Sequence, residues 1–126
     1  MNASTLAKSA YSKANSIAPS DRNAEYNAFA RVTASLATQS NSDDPAAFAR
    51  LSEAVFLNRR LWSILAADAA GDGNRLPDDI RASILSLANF IWKHSQKVLR
   101  KEASVEDLIE INTAIMRGLR ASGTGA

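Results

Sequence analysis

Residues 45–70, PAAFARLSEAVFLNRRLWSILAADAA, decide the fold class of this chain. Phe48, Leu51, Val55, Trp62 and Leu65 follow three- and four-residue spacing, so on a helix they share one stripe. Ala54, Leu57, Leu61 and Ile64 widen that stripe to roughly half the circumference at ~100° per residue. So broad a face predicts a central helix in contact with more than one neighbour. Ser52, Glu53, Arg59 and Arg60 take the opposite side, and Phe56 falls among them with no need of the pattern. Asp44 is an N-cap residue type, and Pro45 stands at the first helical position with its φ already set.

Three more helices follow outward from this one, near 21–40, 78–101 and 105–120, with a short N-terminal helix at about 3–17. In 21–40, Phe29, Val32 and Leu36 share a face, with Glu25 toward the same side and Ser20 as a capping type. Asp78 and Asp79 place negative charge in the first turn after Pro77, where the helix dipole favours it. That helix carries Ile80, Ile84, Leu87, Ile91 and Val98 in one stripe, and Leu85, Trp92 and Leu99 in a second at seven-residue spacing. Ser104-Val105-Glu106-Asp107 resembles a capping box with Asp in place of Glu, ahead of an apolar face of Val105, Leu108, Ile109, Ile115, Met116 and Leu119. The N-terminal segment 1–18 has only Leu6, Ala10, Ala14 and Ile17 at apolar spacing, and is expected to order fully on a partner. Tyr11 and Tyr26 are amphipathic enough to pin it to the rest. The tail 122–126 has nothing to bury and is expected to be flexible. The expectation is an all-α chain: a single domain over 1–126, one small helical bundle of four to five helices, with no internal repeat.

Two asparagines interrupt this pattern. Asn58 lies in the middle of the apolar stripe of 45–70, and Asn112 lies inside that of 105–120. A buried amide without partners costs about 1–3 kcal/mol, so each needs one. The pattern favours a structural role, each satisfying a helix end or loop backbone such as 71–77 and so holding register; a direct bond between the two is the sharper alternative. Trp62 sits within a continuous stripe and reads as core. Core is also favoured for Trp92, the alternative being that Leu85, Trp92 and Phe90 line a groove for an amphipathic partner helix.

The chemistry available is narrow. Apolar residues make up 46% of the 126 and charged residues 22%, a globular and not a disordered balance. Cysteine is absent, which removes disulfides, thiol catalysis and thiolate metal sites. The one histidine, His94, excludes a multi-His metal cluster and reads as a partly buried, hydrogen-bonded imidazole. The acidic stretch 68–74 lacks the alternating ligands and terminal Glu of a calcium loop. No phosphate loop, nucleophile elbow or paired carboxylates emerge, so no enzyme is expected, and no catalytic, cofactor-binding or metal-ligating residue is assigned. Net charge is +2 despite a pI near 9.2. The densest basic patch, Lys93, Lys97, Arg100 and Lys101, offsets a helix dipole, and nucleic-acid binding is not expected from it. No stretch reaches the ~20 apolar residues of a membrane span, and no apolar run of signal-peptide length follows Lys8 and Lys13. A cytoplasmic protein without membrane contact is expected.

Tyr11 ahead of Pro19, Glu25 opening the next helix, Asn58-Arg59-x-Leu61-Trp62, Asn74-x-Leu76-Pro77, Arg81, Leu87, and Leu108 through Asn112 to Gly118-Leu119 occur in a distinctive order over nearly the whole chain. In that order and spacing the chain resembles the FlaF family of flagellar biosynthesis regulators from alphaproteobacteria. The resemblance implies a small cytoplasmic protein needed for flagellin production and filament assembly, with no enzymatic activity and no cofactor. It implies flagellin as partner, bound as by a secretion chaperone or positive regulator, in opposition to FlbT, which restrains translation of flagellin mRNA. The docking surface expected for such a partner comprises Leu6, Tyr11, Phe56, Leu85, Phe90 and Trp92. The alternative is a post-transcriptional regulator of flagellin mRNA acting with FlbT, dependent on Lys93, Lys97 and Arg100.

Overall fold

Four helices run through residues 19–71 and 77–123, the part of the chain that the computed structural model describes, with side chains defined over 24–71 and 77–117. They are α1 (Pro19–Ser40), α2 (Ala47–Ala70), α3 (Asp78–Leu99) and α4 (Glu106–Gly123), and no strand occurs among the described residues. The expected helix at 3–17, with Leu6 and Tyr11, lies outside the described residues, as do 72–76, the side chain of Leu119 and the end of the tail. Ser122 and Gly123, expected in the tail, belong to α4.

The ends of the helices follow from local chemistry. Asp44 Oδ1 accepts from the Ala46 N–H at 2.9 Å, and its other oxygen holds Arg50 at 3.0 Å. It therefore caps the turn through Pro45, and the regular helix begins at Ala47, two residues later than the Pro45 start. Ser104 Oγ accepts from the Glu106 N–H at 3.1 Å, the first half of a capping box. Asp107 does not complete the box; it approaches His94 Nε2 at 3.8 Å. α3 stops at Leu99 and not at 101, because Lys101 takes a left-handed conformation with φ 62°. Its N–H bonds to the Val98 carbonyl and that of Glu102 to the Lys97 carbonyl, the paired bonds of a Schellman cap with lysine where glycine is usual.

α2 is the central element. It packs on α1 and on α3, α1 also packs on α4, and α3 meets α4 only lightly. α2 and α4 thus face each other diagonally across the core, with side chains and not backbones closing the distance. The main core draws Phe29 and Leu36 from α1, Val55 and Trp62 from α2, Leu87, Ile91 and Val98 from α3, and Leu108, Ile111 and Ile115 from α4. Phe29 meets Trp62 edge-on, with centroids 5.9 Å apart and planes at 75°. A smaller cluster of Ala69, Ile80 and Ile84 seals the junction of α2 and α3. There Arg81 Nε donates to the Ala69 carbonyl at 2.7 Å, so the first turn of α3 satisfies the open end of α2.

The broad apolar face of α2 is only partly used. Its buried side chains are Ala47, Ala54, Val55, Asn58, Trp62 and Ala69, a narrower arc than expected. Leu57 and Ile64 emerge on one flank, Ile64 at 60% exposure, and Phe48 is exposed beneath the ammonium of Lys101 at 4.4 Å. The reason is geometric. Two neighbours centred on the same arc leave the flanks of a half-circumference stripe uncovered.

Candidate functional site

The site has an interior and an exterior layer, and the run Asn58-Arg59-Arg60-Leu61-Trp62 contributes to both. Inside, Trp62 Nε1 donates to Asn112 Oδ1 at 3.0 Å. An indole N–H can only donate, so this bond sets which way the Asn112 amide points. Asn112 Nδ2 is then left to donate to Asn58 Oδ1 at 2.7 Å and to Thr33 Oγ1 at 3.2 Å, which uses both its hydrogens. Asn58 and Asn112 are fully buried. The sequence pattern favours a helix end or the 71–77 backbone as their partners; the partners are side chains instead, from α1, α2 and α4. The diagonal placement of α2 and α4 explains this, since a core wide enough for Trp62 brings long side chains together and keeps backbones apart. Asn58 Nδ2 and the fully buried Ser95 Oγ remain without hydrogen-bond partners.

One residue further along α2 the chain turns outward. Arg59 extends over Trp92 of α3, its guanidinium carbon 3.5 Å from the ring centroid. Trp92, which the pattern favours as core, is 47% exposed. Its stripe lies beside the buried arc of α3, where α2 covers only part of the ring. Arg59, Trp62, Ser63 and Ala66 together with Ala88, Asn89, Ile91 and Trp92 line a cleft of about 200 Å³ between the two helices.

The expected docking residues divide accordingly. Phe56 is 63% exposed, seven positions before Ser63 and so on the same side of α2 as the cleft. Leu85 is exposed seven positions before Trp92 and continues the line on α3. Pairing of Arg59 with Trp92 and of Ala69 with Arg81 shows that α2 and α3 run antiparallel, which puts Phe56 and Leu85 at opposite ends of the cleft. Phe90 is also exposed, but two positions from Trp92 it lies about 160° away around the helix. It stacks on His94, centroids 5.3 Å apart, on the side of α3 facing the α4 entry. There His94 Nε2 donates to the Ser104 carbonyl at 2.8 Å. Phe90 and Trp92 therefore do not line one groove. Arg59, which the pattern places on the solvated side of α2, is the functional candidate that periodicity misses. Only its place in the Asn58-Arg59-x-Leu61-Trp62 run distinguishes it.

Among the described residues no group of three or more His, Asp or Glu is arranged to hold a metal ion, and no helix is long and apolar enough to cross a membrane. The profile of a protein family described as flagellar protein FlaF matches residues 7–119. No curated protein and no solved structure matches the chain.

Proposed function

Since the chain belongs to the FlaF family of flagellar proteins, we propose that it is a cytoplasmic flagellin-binding secretion chaperone that promotes filament assembly by protein–protein contact. The observation that carries this reading is the line of Phe56, Trp92 and Leu85, three large apolar side chains exposed along one face and flanking an open cleft. An apolar strip of this kind suits capture of an amphipathic helix, which needs covered area and little chemistry. Flagellin termini are amphipathic segments that assemble prematurely or are degraded unless covered. The bundle beneath supplies a stiff platform, because the polar network ties α1, α2 and α4 at one point.

The test is co-purification from cell extract with flagellin and FlbT both probed. Flagellin is expected to come down with the wild-type chain and to fall roughly tenfold with Trp92→Ala or Phe56→Ala, a loss near 1.4 kcal/mol. Phe90→Ala is expected to leave it unchanged. Equal flagellin capture by all three variants would remove this face from the reading.

The second reading is regulation of flagellin mRNA together with FlbT. Lys93, Lys97 and Arg100 are all exposed near the end of α3, which is the observation in its favour. It requires RNA affinity that falls steeply with salt and is lost when those three charges are removed.

A further inference from the structure

We infer that the cleft between α2 and α3 is a carboxylate site, in which Arg59 receives an Asp or Glu side chain from a helical partner segment. The inference rests on the reading of this face as a docking surface and adds the chemistry that selects the occupant. Arg59 Nε is buried without a hydrogen-bond partner, although it belongs to a cation with five donors. No carboxylate among the described residues pairs with Arg59; Asp44 holds Arg50, Asp78 lies beside Arg81, and Asp107 faces His94. Arg60 follows it on the exposed side of α2 and adds to the positive charge.

The surroundings define the ligand. With its central carbon 3.5 Å from the Trp92 centroid the guanidinium is anchored over the ring, and its fork of donors suits the two parallel bonds that a carboxylate makes. Trp62, Ala66, Ala88 and Ile91 form the apolar part of the lining, with Ser63 and Asn89 at its exposed edge. An ion pair formed there is therefore shielded from water and strengthened once the partner helix covers the opening. Small side chains at Ala66 and Ala88 leave the room for it. Trp92 is half-exposed, so the cleft is open to a partner along this rim. Phe56 and Leu85 bracket the cleft over about ten helical residues, or ~15 Å. A partner helix of about three turns would then place apolar residues on each and its acidic residue between them. A nucleobase fits less well, because the guanidinium already covers one face of Trp92.

The full-length chain, followed by NMR at the Arg59 Nε–H and Trp92 indole N–H signals, tests this. The probes are a synthetic amphipathic peptide of about five helical turns with one central Glu between leucines, its Gln counterpart, and a short single-stranded RNA. The Glu peptide is expected to shift both signals and to bind roughly tenfold tighter than the Gln peptide. That preference should vanish in Arg59→Gln and persist in Arg60→Gln. Equal binding of the two peptides, a preference that survives Arg59→Gln, no shift from either peptide, or larger shifts at these signals from RNA would each overturn the inference. Flagellin captured equally by wild type and Arg59→Gln, with no Glu preference, removes the carboxylate site and spares the chaperone reading. A Glu preference without any flagellin capture does the reverse.

Discussion

Trp62 and Trp92 are the same side chain on facing helices, and they stand at opposite ends of what a tryptophan can do. Trp62 is 1% exposed and spends its N–H on Asn112, so its ring and its donor both serve the interior. Trp92 turns its ring to solvent and carries an arginine on its face. The difference lies in what surrounds them. Around Trp62, α1 and α4 supply Phe29, Thr33 and Asn112, and a buried donor finds a fixed acceptor. Over Trp92, among the described residues, α2 places the flexible, charged Arg59. An interior tryptophan defines the arrangement of helices; a rim tryptophan is free to meet something else.

The contrast can be broken first at its interior end. Asn112→Ala removes three hydrogen bonds and strands the Trp62 donor and the Asn58 acceptor, so a loss of about 3–5 kcal/mol is expected in urea unfolding. A loss under ~1 kcal/mol would show that the network is incidental. Trp62→Phe keeps most of the ring and orphans only Asn112 Oδ1, and a loss of about 2 kcal/mol is expected by the same measurement. Lys101→Gly acts with the opposite sign. Relieving a left-handed lysine should raise stability by about 0.5–1 kcal/mol even though the contact with Phe48 disappears. A thermal midpoint that falls would mean that the cation over Phe48 outweighs the backbone strain.

At the rim the effects shrink. Trp92→Phe should change stability by no more than ~0.5 kcal/mol, and acrylamide should quench Trp92 fluorescence in the wild type while sparing Trp62. Equal quenching of both indoles would erase the comparison. The smallest effect belongs to Asp44, whose carboxyl is held below its ordinary value by the Ala46 N–H first and by Arg50 second. A carboxyl with a depressed folded pKa contributes stability above its unfolded value, and that contribution is lost as pH falls through the folded one. Asp44→Asn should therefore lower stability slightly at neutral pH and cost progressively less below about pH 4, which flattens the acid side of the urea-unfolding profile. A loss that stays the same in acid would show that the carboxylate charge is not its source.

Much of the frame is legible in the order of residues. The start of α3 at Asp78 and the turn built by Asp44 follow from chemistry within a few residues of each position. So does the buried arc of Ile80, Ile84, Leu87, Ile91 and Val98. The site is less legible. Periodicity says which residues share a side of a helix, but not how far round a neighbouring helix reaches. Leu57, Ile64 and Trp92 therefore read as covered surface, yet they are open. Phe90 groups with Trp92 by proximity in the chain, whereas the helical turn sends the two to different flanks.

The amino-acid order alone determined that this chain is helical, where its breaks fall, and that two amides must be buried with partners, because those outcomes depend on interactions a few residues long. Only the tertiary structure decided that Asn58 and Asn112 answer each other, that Trp62 orients both, and that Arg59 stands over Trp92. Each of those pairings joins residues more than thirty positions apart. Its geometry is set by how closely the helices pack, a property of the whole core and of no single segment.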